Sequence, residues 1–154
     1  MKLFIATALA TLIAGQAVAL SCMRPDPVGS FARFAEDDAS YYVLYGTLDF
    51  DASLQPKGVV NRERNLAPIA ARFKGFGLTQ NGFTARYENA VTLQPVCAGP
   101  WCGEQMPGIK SLIFAKVTGD TVTVSYGPCG GSVFAEPSDV TLRDMTACMN
   151  GNCP

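Results

Sequence analysis

The chain has 154 residues, with twelve basic and thirteen acidic side chains, six cysteines and no histidine. A net charge of −1 recruits neither nucleic acid nor anionic lipid, which need a clustered positive face. The missing imidazole excludes Ser-His-Asp and Cys-His sites and the commonest metal ligand, so no catalytic residue, metal or cofactor is expected.

Residues 1–19 read as a cleaved export signal. Met1-Lys2 gives a short positive start, residues 3–14 are apolar or small, and Ala17-Val18-Ala19 has the small-x-small form of a cleavage site. The apolar run is short for a membrane span and no second one follows, so no membrane association is expected after cleavage. Residues 20–154 then form one domain in an oxidising place, periplasmic or extracellular.

The mature region opens with a short helix over residues 28–39, Phe31 and Phe34 lying on one side and Glu36-Asp37-Asp38 on the other. Residues 41–51 switch to period two. Tyr42, Leu44, Gly46, Leu48 and Phe50 share one face of a strand, and Gly46 suggests a bend or bulge. Asp49 and Asp51 carry carboxylates on one strand face and read as solvated residues where the strand meets a loop. Residues 52–66 are polar and read as a surface loop.

Residues 69–79 and 83–96 form two strands around Gln80-Asn81-Gly82, and Asn-Gly takes the positive φ angles of a tight hairpin. A second hairpin follows, with strands over residues 110–118 and 121–126 around Gly119-Asp120. Val122, Val124 and Tyr126 alternate with Thr121, Thr123 and Ser125, which gives one buried and one wet face. Gly127-Pro128-Cys129-Gly130-Gly131 is a turn; it lacks the lysine of a phosphate loop. Past Pro137 comes a helix with Ser138 as N-cap, Asp139 in its first turn, and Leu142, Met145 and Met149 along one side. The expected class is mainly β. Five strands in hairpin order make a small OB-like barrel, closed or partly open, with a short helix near each end.

Six cysteines allow fifteen pairings. Cys97 and Cys102 flank a Gly99-Pro100 turn, and Cys148 and Cys153 span the Asn150-Gly151 helix stop at the same interval. Pairing both locally leaves Cys22 for Cys129. A shifted framework, Cys22 with Cys102 and Cys97 with Cys129, stays open. A redox dithiol at Cys97 and Cys102 shares Gly, Pro and Trp with thioredoxin-type sites. Those sites have two intervening residues at a helix N-terminus; here there are four, between strands. Structural bridging is the favoured reading.

Taken in order, Ser21-Cys22, Tyr45-Gly46-Thr47, Phe73-Lys74-Gly75, Cys102-Gly103, Leu112-Ile113-Phe114-Ala115, Cys129, and Glu136-Pro137 leading to Cys153 resemble the netrin-type module. That module is the OB-fold of the tissue inhibitors of metalloproteinases, and small exported bacterial proteins are similar to it. The export signal, the absent histidine and the barrel pattern point to a non-enzymatic, disulfide-stapled binding module with a protein partner, its surface placed by analogy with those inhibitors. Its contact surface would lie on residues 22–27 beside residues 98–107, with Arg24, Pro25, Trp101 and Met106 as candidate residues. The inhibitors begin at Cys-x-Cys and chelate zinc through the first amine. Leu20-Ser21 precede a single Cys22 here, so any protease inhibition would be of a non-chelating type.

Overall fold

A computed structural model describes residues 20–58 and 66–154. The expected signal segment and residues 59–65 of the polar loop lie outside the described residues.

Helix α1 (Pro27–Ala35) starts where the Asp26 carboxylate accepts from Gly29 N–H at 2.8 Å and Pro27 presets the first turn. It stops four residues before the expected Ala39. The Asp37 carboxylate accepts from Ala39 N–H and from the Tyr41 hydroxyl, both at 2.9 Å, and this local bonding competes with further helix and turns the chain into a strand. Helix α2 (Asp139–Met149) begins at the expected cap, Ser138 accepting from Thr141 N–H at 3.1 Å. Its buried stripe is Met145 and Cys148. Met149, expected on that side, is 43% exposed.

All five expected strands are present: β1 (Ser40–Phe50), β2 (Ile69–Thr79), β3 (Gly82–Pro95), β6 (Ser111–Thr118) and β7 (Thr121–Tyr126). Between them lies a ribbon of two short strands, β4 (Cys97–Ala98) and β5 (Trp101–Cys102), and β8 (Val133–Ala135) follows β7. The main sheet therefore has six strands, in the order β1-β2-β3-β7-β6-β8. It is also mixed, because β3 pairs with β7 in parallel. That corrects the five-stranded hairpin order. Strand β1 pairs with β2 through residues 44–50 and with β6 through residues 40–46, so the pairings of β1, β2, β3, β7 and β6 return to their start.

Gly46 and Gly75 face each other in the β1–β2 ladder. A Cβ on Gly46 would lie 2.7 Å from both the Gly75 Cα and the Phe73 ring, so the glycine serves close approach of two strands. The irregularity in β2–β3 falls instead at Gly77/Leu78. In the β2–β3 turn the positive φ belongs to Gly82 (91°), with Gln80 and Asn81 as the two connecting residues.

Two apolar clusters meet at β6. Leu44, Leu48, Phe73, Leu93, Ile113, Ala115, Val122, Val124 and Tyr126 pack on one side of it. On the other, Leu112 and Phe114 pack with Met145 and Cys148 of α2 and with Phe31 and Phe34 of α1. Residues 111–115 are consequently all buried. A strand covered on both faces reads as an unbroken apolar run, which Leu112-Ile113-Phe114-Ala115 is.

Candidate functional site: a disulfide-fixed rim

The three bridges are Cys22–Cys129, Cys97–Cys102 and Cys148–Cys153, and no described cysteine is free. These are the pairings favoured by the turn argument, and the shifted framework is absent. Three bridges fit an oxidising, exported location. No described helix is long and apolar enough to cross a membrane.

Two bridges converge on one rim of the sheet. Cys97 and Cys102 are facing partners of the β4–β5 ribbon, next to the pair Ala98 and Trp101, and Gly99 turns the ribbon at φ 58°. Val96 N–H ties the foot of the ribbon to β7 by donating to the Tyr126 carbonyl at 2.8 Å, and Gly103 N–H closes the ribbon by donating to the Val96 carbonyl at 3.2 Å. Gly103 packs so closely on Gly127 that an added Cβ would lie 2.7 Å from its backbone. Only a glycine fits there.

The Cys22–Cys129 bridge brings the segment around Cys22 to the same place. A groove of about 660 Å³ runs there, with Cys22, Pro56, Pro100, Trp101, Glu104 and Pro128 among its walls. A second hollow of about 500 Å³ holds Met106 beside Gln55, Ile109 and Val133 and shares Glu104 and Gln105 with the first. Gln55 locks the two together, its amide donating to the Gln105 carbonyl at 2.9 Å and accepting from Gln105 N–H at 2.8 Å. Of the exposed apolar side chains, Trp101 (36%) lines the groove and Met106 (69%) the second hollow, while Met23 (92%) and Val96 (46%) are the chain neighbours of Cys22 and Cys97.

Of the four candidate contact residues, the structure places Trp101 in the groove and Met106 in the adjoining hollow. Arg24 is exposed and lines neither. Pro25 is half-buried against the loop after Cys129, 3.3 Å from where a Gly130 Cβ would stand. Asp51 is committed locally. Its carboxylate accepts from the Ser53 hydroxyl and N–H, capping the short turn Ala52–Leu54, and these bonds hold its pKa below the usual carboxylate value. No group of three metal-binding side chains occurs among the described residues.

A separate hollow of about 630 Å³ lies where α1, β1 and the β2–β3 hairpin meet, its walls including Phe34, Tyr41, Tyr42, Leu78 and Tyr87. Here the Phe34 and Tyr41 rings stand 4.6 Å apart and Tyr42 meets Tyr87 edge-on at 5.6 Å. Sequence reasoning did not single out this aromatic group. The available signal was the Tyr41-Tyr42 pair, which sends one ring to each face of β1.

No family model matches the chain, no curated protein matches it, and no solved structure matches it.

Proposed function

We propose that the chain is an exported binding module without a catalytic centre, an OB-like barrel of the netrin type that takes a protein partner on its disulfide-fixed rim. The ring of pairings from β1 through β2, β3, β7 and β6 back to β1 supports the barrel reading. One observation carries the function: exposed Trp101 and Met106 line adjoining hollows beside loops fixed by two of the three disulfides, with exposed Met23 and Val96 next to Cys22 and Cys97 in the chain. Exposed apolar residues beside polar ones mark protein-contact surfaces. Loops crosslinked beforehand lose little further freedom on association, so more of the contact energy appears as affinity.

Thiol–disulfide exchange at Cys97 and Cys102 is less well supported, because these residues face each other in a short ribbon and neither begins a helix. Blocking of a protease by a non-chelating route would use the same rim, and so is one identity of the partner.

Pull-down from an envelope extract tests the reading. Wild type is expected to retain a partner that Trp101→Ala with Met106→Ala loses by tenfold or more in affinity, about 1.4 kcal/mol. Arg24→Ala, on a residue outside both hollows, is expected to do less. Undiminished retention by the double variant would reject the rim. Reduction of insulin by the native protein would replace the binding reading with the oxidoreductase one.

A further inference from the structure

Away from the rim, β3 outruns its neighbour. Only Thr92–Pro95 of β3 pair with β7, which begins at Thr121. The hairpin tip is held by α2, where the Asn150 side-chain amide donates to the Gln80 carbonyl at 3.0 Å. Between these anchors, residues 84–90 have β2 along one edge and no described strand along the other. Such an edge offers unpaired N–H and C=O groups to any strand that its side chains admit.

Charges on an edge usually keep strands away, but the sign order here does the opposite for one particular visitor. Arg86 and Glu88 stand on the same face of β3, 3.1 Å apart, with side chains 78% and 33% exposed. If a second β3 is laid antiparallel with Tyr87 at the two-fold axis, Arg86 stands opposite Glu88 of the partner subunit, and Glu88 opposite the partner's Arg86. Facing residues on antiparallel strands are closer than residues two apart on one strand, so the cross-strand pairs have the better geometry. A parallel arrangement in register would set like charges together.

The next strand extends the complementarity. In the β2–β3 ladder Lys74 faces Glu88 and Phe76 faces Arg86. Each row across the joined sheets then reads Phe76, Arg86, the partner's Glu88, the partner's Lys74. Glu88 gains a cation on both sides. Its pKa is already held below the ordinary value, chiefly by the Arg86 hydrogen bond. Two aromatic side chains beside this edge, Tyr42 and Phe76, are each 45% exposed. Tyr42 touches Tyr87, the residue at the axis.

We infer that the free edge of β3 is a self-association surface whose occupant is a second copy of this chain, antiparallel and centred on Tyr87. Seven residues a side make a small interface, so the dimer is reversible, with a dissociation constant of about 10–100 μM. This surface is separate from the rim and does not rest on its function.

Sedimentation velocity over about 10 μM to 1 mM reads the equilibrium. Wild type is expected to shift from monomer to dimer. Arg86→Glu alone places two acids on the edge and Glu88→Arg alone places two bases, so each variant is expected to stay monomeric. An equimolar mixture of the two is expected to recover a one-to-one dimer. Far-UV circular dichroism on each variant confirms that exposed changes leave the fold intact. Three results would each overturn the inference: monomeric wild type throughout, single variants that associate as well as wild type, or a mixture that stays monomeric. Loss of association in Trp101→Ala would also overturn it, by placing the contact at the rim.

Discussion

On the flank where α1 and α2 cover β6, order comes from packed carbon: Phe114 stacks on Phe34 at 5.0 Å and meets Phe134 edge-on at 6.2 Å. Around the rim, where residues 20–25, 97–105 and 127–131 meet, it comes from sulfur, glycine and backbone hydrogen bonds. The difference follows from surface area. Helices can lay a continuous apolar stripe on a strand, whereas turns built on Gly99, Pro100, Gly127 and Pro128 have little carbon to bury. Crosslinks supply what packing cannot. A rim held in this way leaves Trp101 and Met106 partly outward, while the flank buries its apolar side chains in folding.

The largest expected effect separates the staple from the short bridges. Cys22–Cys129 closes a sequence separation of 107 residues and Cys97–Cys102 one of five. Loop-closure entropy then assigns about 5 kcal/mol to the first and about 2 kcal/mol to the second. Replacing each pair with serine and measuring urea unfolding is expected to show that order, with hydrogen exchange rising first in residues 20–25 and 127–131 for the long bridge. Equal losses would mean that both act by shaping loops.

Phe114→Ala probes the flank by the opposite route. The side chain is 2% exposed and joins both helices to β6. Its truncation is expected to cost about 4 kcal/mol, with exchange protection lost in α1 and α2 before it is lost in β2 and β3. Uniform loss of protection would show that flank and ring unfold as one unit.

How much of this was legible in the sequence varies with the range of the interaction. Alternation placed β1, β2, β3, β6 and β7 to within a residue or so at most ends, because the period of a strand is a local property. The Ser138 cap was legible for the same reason. Parallel pairing of β3 with β7 left no local signal, since the β4–β5 ribbon and β6 lie between the two strands and no single turn joins them. Val133-Phe134-Ala135 is too short to show a period, so β8 went unseen. The end of α1 was misplaced because the Asp37 side chain outbids the helix for Ala39 N–H. Gly46 was expected at a bend or bulge; no register shift occurs there, and the close approach to Gly75 on another strand left no local signal. At the rim, Trp101 was identifiable as a lone aromatic in a cysteine turn, but only the fold shows that Arg24 stands clear of the groove.

The smallest predicted effect lies where ring and rim join. Tyr126 ends β7 with its carbonyl accepting from Val96 N–H of the rim, while its side chain is 3% exposed and sits in the ring-side cluster. The hydroxyl is buried and has no hydrogen-bond partner among the described residues. Removing an unsatisfied hydroxyl while keeping the ring shape is stabilising, so Tyr126→Phe is expected to raise stability by about 1 kcal/mol at neutral pH. Burial also raises the Tyr126 pKa above its ordinary value near 10. A phenol with a raised folded pKa contributes stability that is fully present below the unfolded pKa and is lost as pH rises through the folded one. Wild type should therefore weaken above about pH 10 more steeply than Tyr126→Phe, and the gap between their melting temperatures should widen with pH. Tyr41 and Tyr87, also raised chiefly by burial, leave the variant some alkaline sensitivity. A Phe variant less stable than wild type at pH 7 would show that the hydroxyl has a partner and that the ring–rim junction is held by the side chain as well as by the backbone.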